Sequence, residues 1–151
     1  MHIKRLGTAE QPSCILYLPN APQWEADAAL NIPDLIATNG NHWRKIMTIF
    51  AKLQSPDENW REYRDNNLLR DSELISFENK LIHRPESFHL IAGKASWERM
   101  GYNPDEFDAL DDNQRLYRKG RVFLTPYPDY RQFPNLLIEQ LRTLLNRTTG
   151  D

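Results

Sequence analysis

Apolar residues along the chain fall into short continuous runs and helical stripes. Residues 14–18, 87–92 and 122–125 form continuous runs, which are typical of strands buried on both faces of a sheet. Helical stripes occur at Trp43, Ile46, Met47, Phe50 and Leu53, and again at Leu137, Ile138, Leu141, Leu144 and Leu145. Buried strands that alternate with helices predict an α/β fold, a three-layer α/β/α arrangement with a small parallel sheet.

The segments between these runs predict further elements. Residues 72–82 have the apolar spacing of an amphipathic helix that ends before Pro85, and residues 56–70 predict a solvated helix or an ordered connection. Gly93 is expected to turn the second strand into a helix that carries Trp97 and Met100. Asn39 or Asn41 is a candidate cap for the helix with Trp43. Residues 103–106 have the composition of another helix start, and Pro134 is expected to open the last helix.

Length and composition indicate one domain over residues 1–151. The chain has 151 residues, of which 40% are hydrophobic, enough for one ordinary core. A formal net charge of −2 supplies no global attraction to nucleic acid or anionic lipid, so such binding requires a local patch. The apolar runs are too short to span a membrane, and the single cysteine, Cys14, cannot form an internal disulfide. We therefore expect a cytoplasmic protein with no membrane partner.

A proline-rich loop follows the last strand, in the sequence RVFLTPYPDYRQFPN of residues 121–135. Three prolines restrict the backbone here and hold Tyr127, Asp129, Tyr130 and Arg131 in fixed positions. Open α/β sheets bind ligands at the carboxyl ends of their strands. The loop is either a ligand site or a structural turn in which Asp129 and Arg131 pair locally.

Gly93 and Lys94 follow a strand, as in a nucleotide-binding phosphate loop. The Walker motif is excluded, because Phe88 stands where its first glycine belongs and Ala95 stands where Ser or Thr must follow the lysine. Lys94 can still help to hold a phosphate group beside the start of the helix. The alternative is a simple turn between strand and helix.

Metal or nucleophilic chemistry has no recognisable motif in the chain. His2, His42, His83 and His89 stand at no metal-ligand spacing, and we expect His89, inside an apolar strand, to be a satisfied core residue. We expect no metal and no cofactor. The acidic residues of segment 105–112 precede basic residues at 115–121, which predicts either a solvated, internally paired face or positive charge beside the proline loop.

The loops after the first and last strands resemble the two active-site motifs of the uracil-DNA glycosylase superfamily. The chain looks like a distant bacterial branch of that superfamily. Residues 19–23 read PNAPQ where the branch with an iron–sulfur cluster has G-E-A-P-G, and residues 125–130 read TPYPDY where it has T-Y-H-P-S-Y. The segment HLIAGKASWERMG at 89–101 is similar to the family's middle strand and helix. The resemblance implies a small parallel sheet between helices. The cluster cysteines are absent.

The resemblance also implies roles for named residues. Asn20 takes the place of the group that positions the attacking water, and Tyr127 takes the place of the histidine that contacts the leaving base. Trp24 or Tyr17 would stack on the base. Arg131 and Lys94 would contact phosphate, whereas Asp129, in place of a serine, would repel the DNA backbone.

Two functional hypotheses follow from these substitutions. The favoured one is a glycosylase-like fold that has lost standard glycosylase activity and binds a protein partner. The alternative is a diverged DNA glycosylase, or a base- or nucleotide-binding protein, that acts on an unusual or single-stranded substrate.

Overall fold

The computed structural model describes residues 3–149, with side chains described up to residue 146, and shows a mixed α/β fold. Its strands are β1 (Arg5–Leu6), β2 (Cys14–Tyr17), β3 (Glu73–Ser76), β4 (Phe88–Ala92), β5 (Asp108–Ala109), β6 (Tyr117–Lys119) and β7 (Val122–Thr125). Its α-helices are α1 (Ile32–Asn39), α2 (Asn41–Gln54), α3 (Trp60–Asn66), α4 (Lys94–Arg99) and α5 (Asn135–Thr149). His2 lies outside the described residues.

The strands form one sheet in the order β1-β3-β2-β4-β7-β6-β5. The four central strands, β3, β2, β4 and β7, run parallel to one another, while β1, β6 and β5 pair antiparallel at the two sides. The three predicted strands are confirmed within a residue or two. The sheet is larger than predicted and mixed, because strands of two or three residues carry too short a pattern to be recognised in sequence.

Both faces of the central strands are covered. Alternate residues such as Leu16, Leu90 and Phe123 pack against α1, α2 and α5, whereas Ile15, Ile91 and Leu124 pack on the other face with Trp97 of α4. The apolar stripe of α2 is confirmed, because all five of its predicted residues are buried. In α5 the predicted stripe is buried except for Leu144, which is half-buried.

The predicted helix over residues 72–82 is wrong. Glu73–Ser76 is a strand that pairs with both β1 and β2, and residues 77–87 form a connection that leads to β4. Leu81 and Ile82 are half-buried against the second face of the sheet. The spacing of Leu74, Ile75, Leu81 and Ile82 fits a helix by chance, because these residues belong to two separate structural units.

The helix boundaries also correct two smaller predictions and add one helix that was not predicted. Gly40, not an asparagine, caps α2, and the Asn39 side chain instead bonds the backbone of Gln23. Asn103 and Pro104 open only a single 3-10 turn, Pro104–Glu106. Helix α1 was not predicted, although its Asn31 cap and Pro33 are recognised start signals.

Candidate functional site

A cavity of about 580 Å³ lies at the carboxyl ends of β4 and β7. Gly93, Lys94, Ala95 and Trp97 line one side, Pro126, Tyr127, Arg131 and Gln132 line the other, and Arg115 completes the wall. We call this space the Tyr127 cavity and residues 126–134 the proline loop. Its volume lies within the roughly 300–1,000 Å³ of typical small-molecule sites.

The two strand ends fix both sides of the Tyr127 cavity. Ala92 and Thr125 are partners in the parallel pair of β4 and β7, and the amide of Gly93 donates to the Thr125 carbonyl at 2.8 Å. The indole Nε1 of Trp97 donates to the carbonyl oxygens of Ile91 and Thr125. Trp97 is therefore a fixed, apolar part of the wall, held by the backbone of both strands.

Tyr127 is half-buried and packs against Gly93. A Cβ at position 93 would lie 3.2 Å from Cδ1 of the Tyr127 ring, so a larger residue there would require the ring to shift by a few tenths of an ångström. Burial raises the pKa of the Tyr127 phenol, and the charge of Asp129 raises it further. The phenol is therefore neutral near pH 7 and able to donate a hydrogen bond.

Helix α2 holds the opposite side of Tyr127. Its hydroxyl lies 2.7 Å from Nε2 of His42, and the two rings stack with centroids 5.6 Å apart and planes 19° from parallel. From sequence His42 was noted only as a histidine at no metal-ligand spacing, and no sequence pattern links it to a tyrosine 85 residues later. This contact was missed because it is purely tertiary.

Asp129 does not line the Tyr127 cavity. Its Oδ1 accepts from the amide of Arg131 at 2.9 Å, and its Oδ2 pairs with Nζ of Lys45 at 3.5 Å. The Arg131 amide, and after it the charges of Lys45 and Arg131, lower the pKa of this carboxyl. The Asp129 carboxylate is thus held by the loop and by helix α2, next to the cavity rather than in its lining.

The charged side chains that line the cavity are all cationic: Lys94, Arg115 and Arg131. Lys94 and Arg131 are exposed, and within residues 3–146 neither makes an ion pair. Arg115 is held by Asp111, whose Oδ2 lies 3.3 Å from its Nε. The cavity therefore combines an apolar wall with the positive charges of Lys94 and Arg131, which make no ion pair among the described residues, while the charge of Arg115 is paired with Asp111.

Three other predicted site residues lie elsewhere. Tyr17 is fully buried, and its hydroxyl bonds His89 and the Ile82 amide, so no ring face is free to stack on a ligand. Asn20 is exposed in the loop after β2, at the same edge of the sheet but outside the cavity lining. Trp24 is half-buried and lines a smaller pocket near β1. The structure thus brings Lys94, Tyr127 and Arg131 together, without Tyr17, Asn20 or Trp24.

His89 is the satisfied core residue that was predicted. Its Nε2 lies 2.9 Å from the Arg84 carbonyl oxygen, which only accepts, so Nε2 carries the ring proton. Nδ1 therefore accepts from the Tyr17 hydroxyl at 2.7 Å. Burial lowers the pKa of His89, which agrees with a neutral ring.

Neither metal clusters nor membrane spans appear in the described part of the chain. Residues 3–149 contain no group of three or more His, Cys, Asp or Glu side chains placed to hold a metal ion. None of the helices in that range has the length and apolar character needed to cross a bilayer.

Comparison with known proteins identifies a family but no characterised relative. The model of a family of unknown function (DUF6942) matches residues 4–146. No curated protein and no solved structure matches the chain.

Proposed function

The chain belongs to the DUF6942 family, and on that premise we propose that it binds a phosphate-bearing aromatic ligand of the nucleotide class in the Tyr127 cavity. The observation that carries this proposal is the charge of the lining: three cationic side chains and no carboxylate around an apolar wall. The proposal includes a cytoplasmic location and no bound metal or cofactor.

The arrangement of the cavity suits the two halves of such a ligand. Trp97, Pro126 and Tyr127 line the cavity with apolar surface against which a base can pack. Lys94 and Arg131 both line the cavity and offer cationic hydrogen-bond donors for a phosphate group. A free nucleotide fits this site better than a long strand, since the net charge of −2 adds no wider attraction for polyanions.

The test compares adenosine 5′-monophosphate with adenosine by titration calorimetry. Wild type is expected to bind the nucleotide more tightly than the nucleoside, and Lys94→Ala and Arg131→Ala should each weaken nucleotide binding by about tenfold, since one charged hydrogen bond contributes about 1.5 kcal/mol. Lys80→Ala, at an exposed lysine outside the cavity lining, is the matched control and should bind as wild type. Equal affinity for nucleotide and nucleoside would contradict the proposal.

The proposal keeps the glycosylase-like framework and excludes standard glycosylase activity. The central parallel strands and the helices on both faces support the framework. The exposed position of Asn20 outside the cavity, and the engagement of the Tyr127 hydroxyl with His42, support the loss of activity. We expect no excision of uracil from single- or double-stranded oligonucleotides. Excision that disappears in Asn20→Ala would instead establish a diverged glycosylase acting on nucleic acid.

A protein partner is a second candidate, favoured by two exposed apolar side chains beside the proline loop. Leu136, at the start of α5, is 84% exposed and Tyr130 is 47% exposed. The four tryptophans do not add to this surface, because Trp43 and Trp97 are buried and Trp24 and Trp60 are half-buried. A partner bound here should be lost from Leu136→Ser and retained by Lys94→Ala in pull-down experiments.

A further inference from the structure

The Tyr127 ring is held in place by contacts from two directions. Gly93 packs against one side of the residue, and the His42 ring stacks at a centroid distance of 5.6 Å. The hydrogen bond of 2.7 Å between His42 Nε2 and the Tyr127 hydroxyl fixes the rotation that stacking alone leaves free. In this orientation Tyr127 lines the cavity.

The first turn of α2 provides the support for this contact. Trp43, next to His42, is buried in the core, so the turn cannot move without disturbing the packing. Lys45 lies three residues after His42, on the same side of the helix, and pairs with Asp129 while its Nζ lies 5.7 Å from the centre of the Tyr130 ring. One helix end therefore contacts three residues of the proline loop.

We infer that His42 is a positioning residue of the Tyr127 cavity: its hydrogen bond to the Tyr127 hydroxyl holds the aromatic ring in the orientation in which it lines the cavity that receives a nucleotide. This inference rests on the proposed function and names the residue that shapes the site. A neutral hydrogen bond of this kind contributes about 0.5–1.5 kcal/mol, so its loss should weaken nucleotide binding by about twofold to tenfold.

The hydrogen bond can be separated from the ring stacking by choice of variant. His42→Phe keeps a stacked ring and removes the bond, whereas His42→Gln removes the ring and keeps a polar group that can reach the phenol. Tyr127→Phe removes the other partner of the same bond. His83→Phe, at an exposed histidine in the connection between β3 and β4, is the matched control.

The binding experiment measures adenosine 5′-monophosphate affinity by calorimetry in these variants and in the double variant His42→Phe with Tyr127→Phe. We expect each single phenylalanine variant to bind more weakly by about twofold to tenfold, the double variant to bind no more weakly than either, and His42→Gln and His83→Phe to stay close to wild type. Wild-type affinity in His42→Phe, or losses that add in the double variant, would overturn the inference.

A measurement without ligand distinguishes this inference from the proposed function. The imidazole ¹⁵N signals of His42 should change in Tyr127→Phe, because the bond exists in the unliganded protein; unchanged signals would overturn the inference. A changed signal with no nucleotide binding by wild type would reject the proposed function and the role given to His42, while the bond itself would stand. Nucleotide binding that is indifferent to His42→Phe would reject the inference alone.

Discussion

Gly93 is the residue at which β4 turns into α4 directly beside Tyr127. Its φ of 88° and ψ of 144° lie in a region that side chains with a Cβ rarely adopt, and the tyrosine ring occupies the space that a Cβ would need. Two independent constraints, backbone conformation and close contact, therefore require glycine at this position.

Gly93→Ala should lower the free energy of unfolding by about 1–3 kcal/mol and weaken nucleotide binding, because both the backbone and the Tyr127 ring must shift. Gly101→Ala is the matched control, since Gly101 also has a positive φ of 81° but has no atom within 4 Å of the Cβ position. Chemical denaturation measures both variants. A Gly93→Ala protein that unfolds no more easily than Gly101→Ala would show that the contact with Tyr127 is unimportant.

Glu73 is a buried carboxyl group at the amino end of β3, whereas the cavity lies at the carboxyl ends of β4 and β7. It accepts hydrogen bonds from the Tyr63 hydroxyl and from the Leu69 amide, where Leu69 has a positive φ of 67°. Burial raises the pKa of Glu73, although both hydrogen bonds act in the other direction. The folded state therefore holds this proton more tightly than the unfolded chain does.

The raised pKa of Glu73 predicts a pH dependence of stability. Its contribution is largest below about pH 4.3, where an unfolded glutamate becomes protonated, and declines as the pH rises through the folded pKa. Glu73→Gln should remove this decline, whereas the exposed Glu10→Gln should keep it. Denaturation between acid and neutral pH measures the difference between the variants. Parallel pH profiles for wild type and Glu73→Gln would contradict the assignment.

At the scale of elements, long regular patterns predicted structure well and short ones did not. The buried runs of β2, β4 and β7 and the stripes of α2 and α5 are repeated enough to be read from sequence. Strand β3 was mistaken for a helix because Leu74 and Ile75 stand between polar residues, and Leu81 and Ile82 of the following connection repeat the apolar pair at helical spacing. The two-residue and three-residue strands at the sheet sides depend on their neighbours for pairing and leave no local signal.

The contact between α2 and the proline loop is the element-level feature that shapes the site. Lys45→Met should remove the partner that holds the Asp129 carboxylate outside the cavity lining, with little loss of stability because the pair is partly exposed; such pairs contribute less than about 1 kcal/mol. Nucleotide affinity should nevertheless decrease by about threefold, since the negative charge becomes free to approach the phosphate.

Lys52→Met is the control for this change, because Lys52 lies on the same helix and bonds Asn135 instead of the loop. Calorimetry with adenosine 5′-monophosphate and thermal unfolding measure both variants. Equal affinities in Lys45→Met and Lys52→Met would show that Asp129 needs no restraint by Lys45.

At the scale of the whole molecule, the parallel sheet gathers distant segments at one edge. The resemblance implied that Lys94 and Arg131 contact phosphate beside Tyr127, and these three residues do line one cavity. The sequence could not predict which residues around that edge are turned toward the cavity. Asn20 and Trp24 lie in the segment after β2 but do not line the cavity. Arg115 lines the cavity and His42 contacts Tyr127, although the sequence shows no motif around either residue.

Mapping the bound nucleotide onto the chain tests the central claim most directly. Adenosine 5′-monophosphate is titrated into ¹⁵N-labelled protein, and amide shifts are followed by nuclear magnetic resonance. The account predicts that the largest changes fall on residues 93–97 and 127–132, with a smaller change at Arg115. No changes, or changes centred on the pocket beside Trp24 or the one beside Trp60, would contradict it.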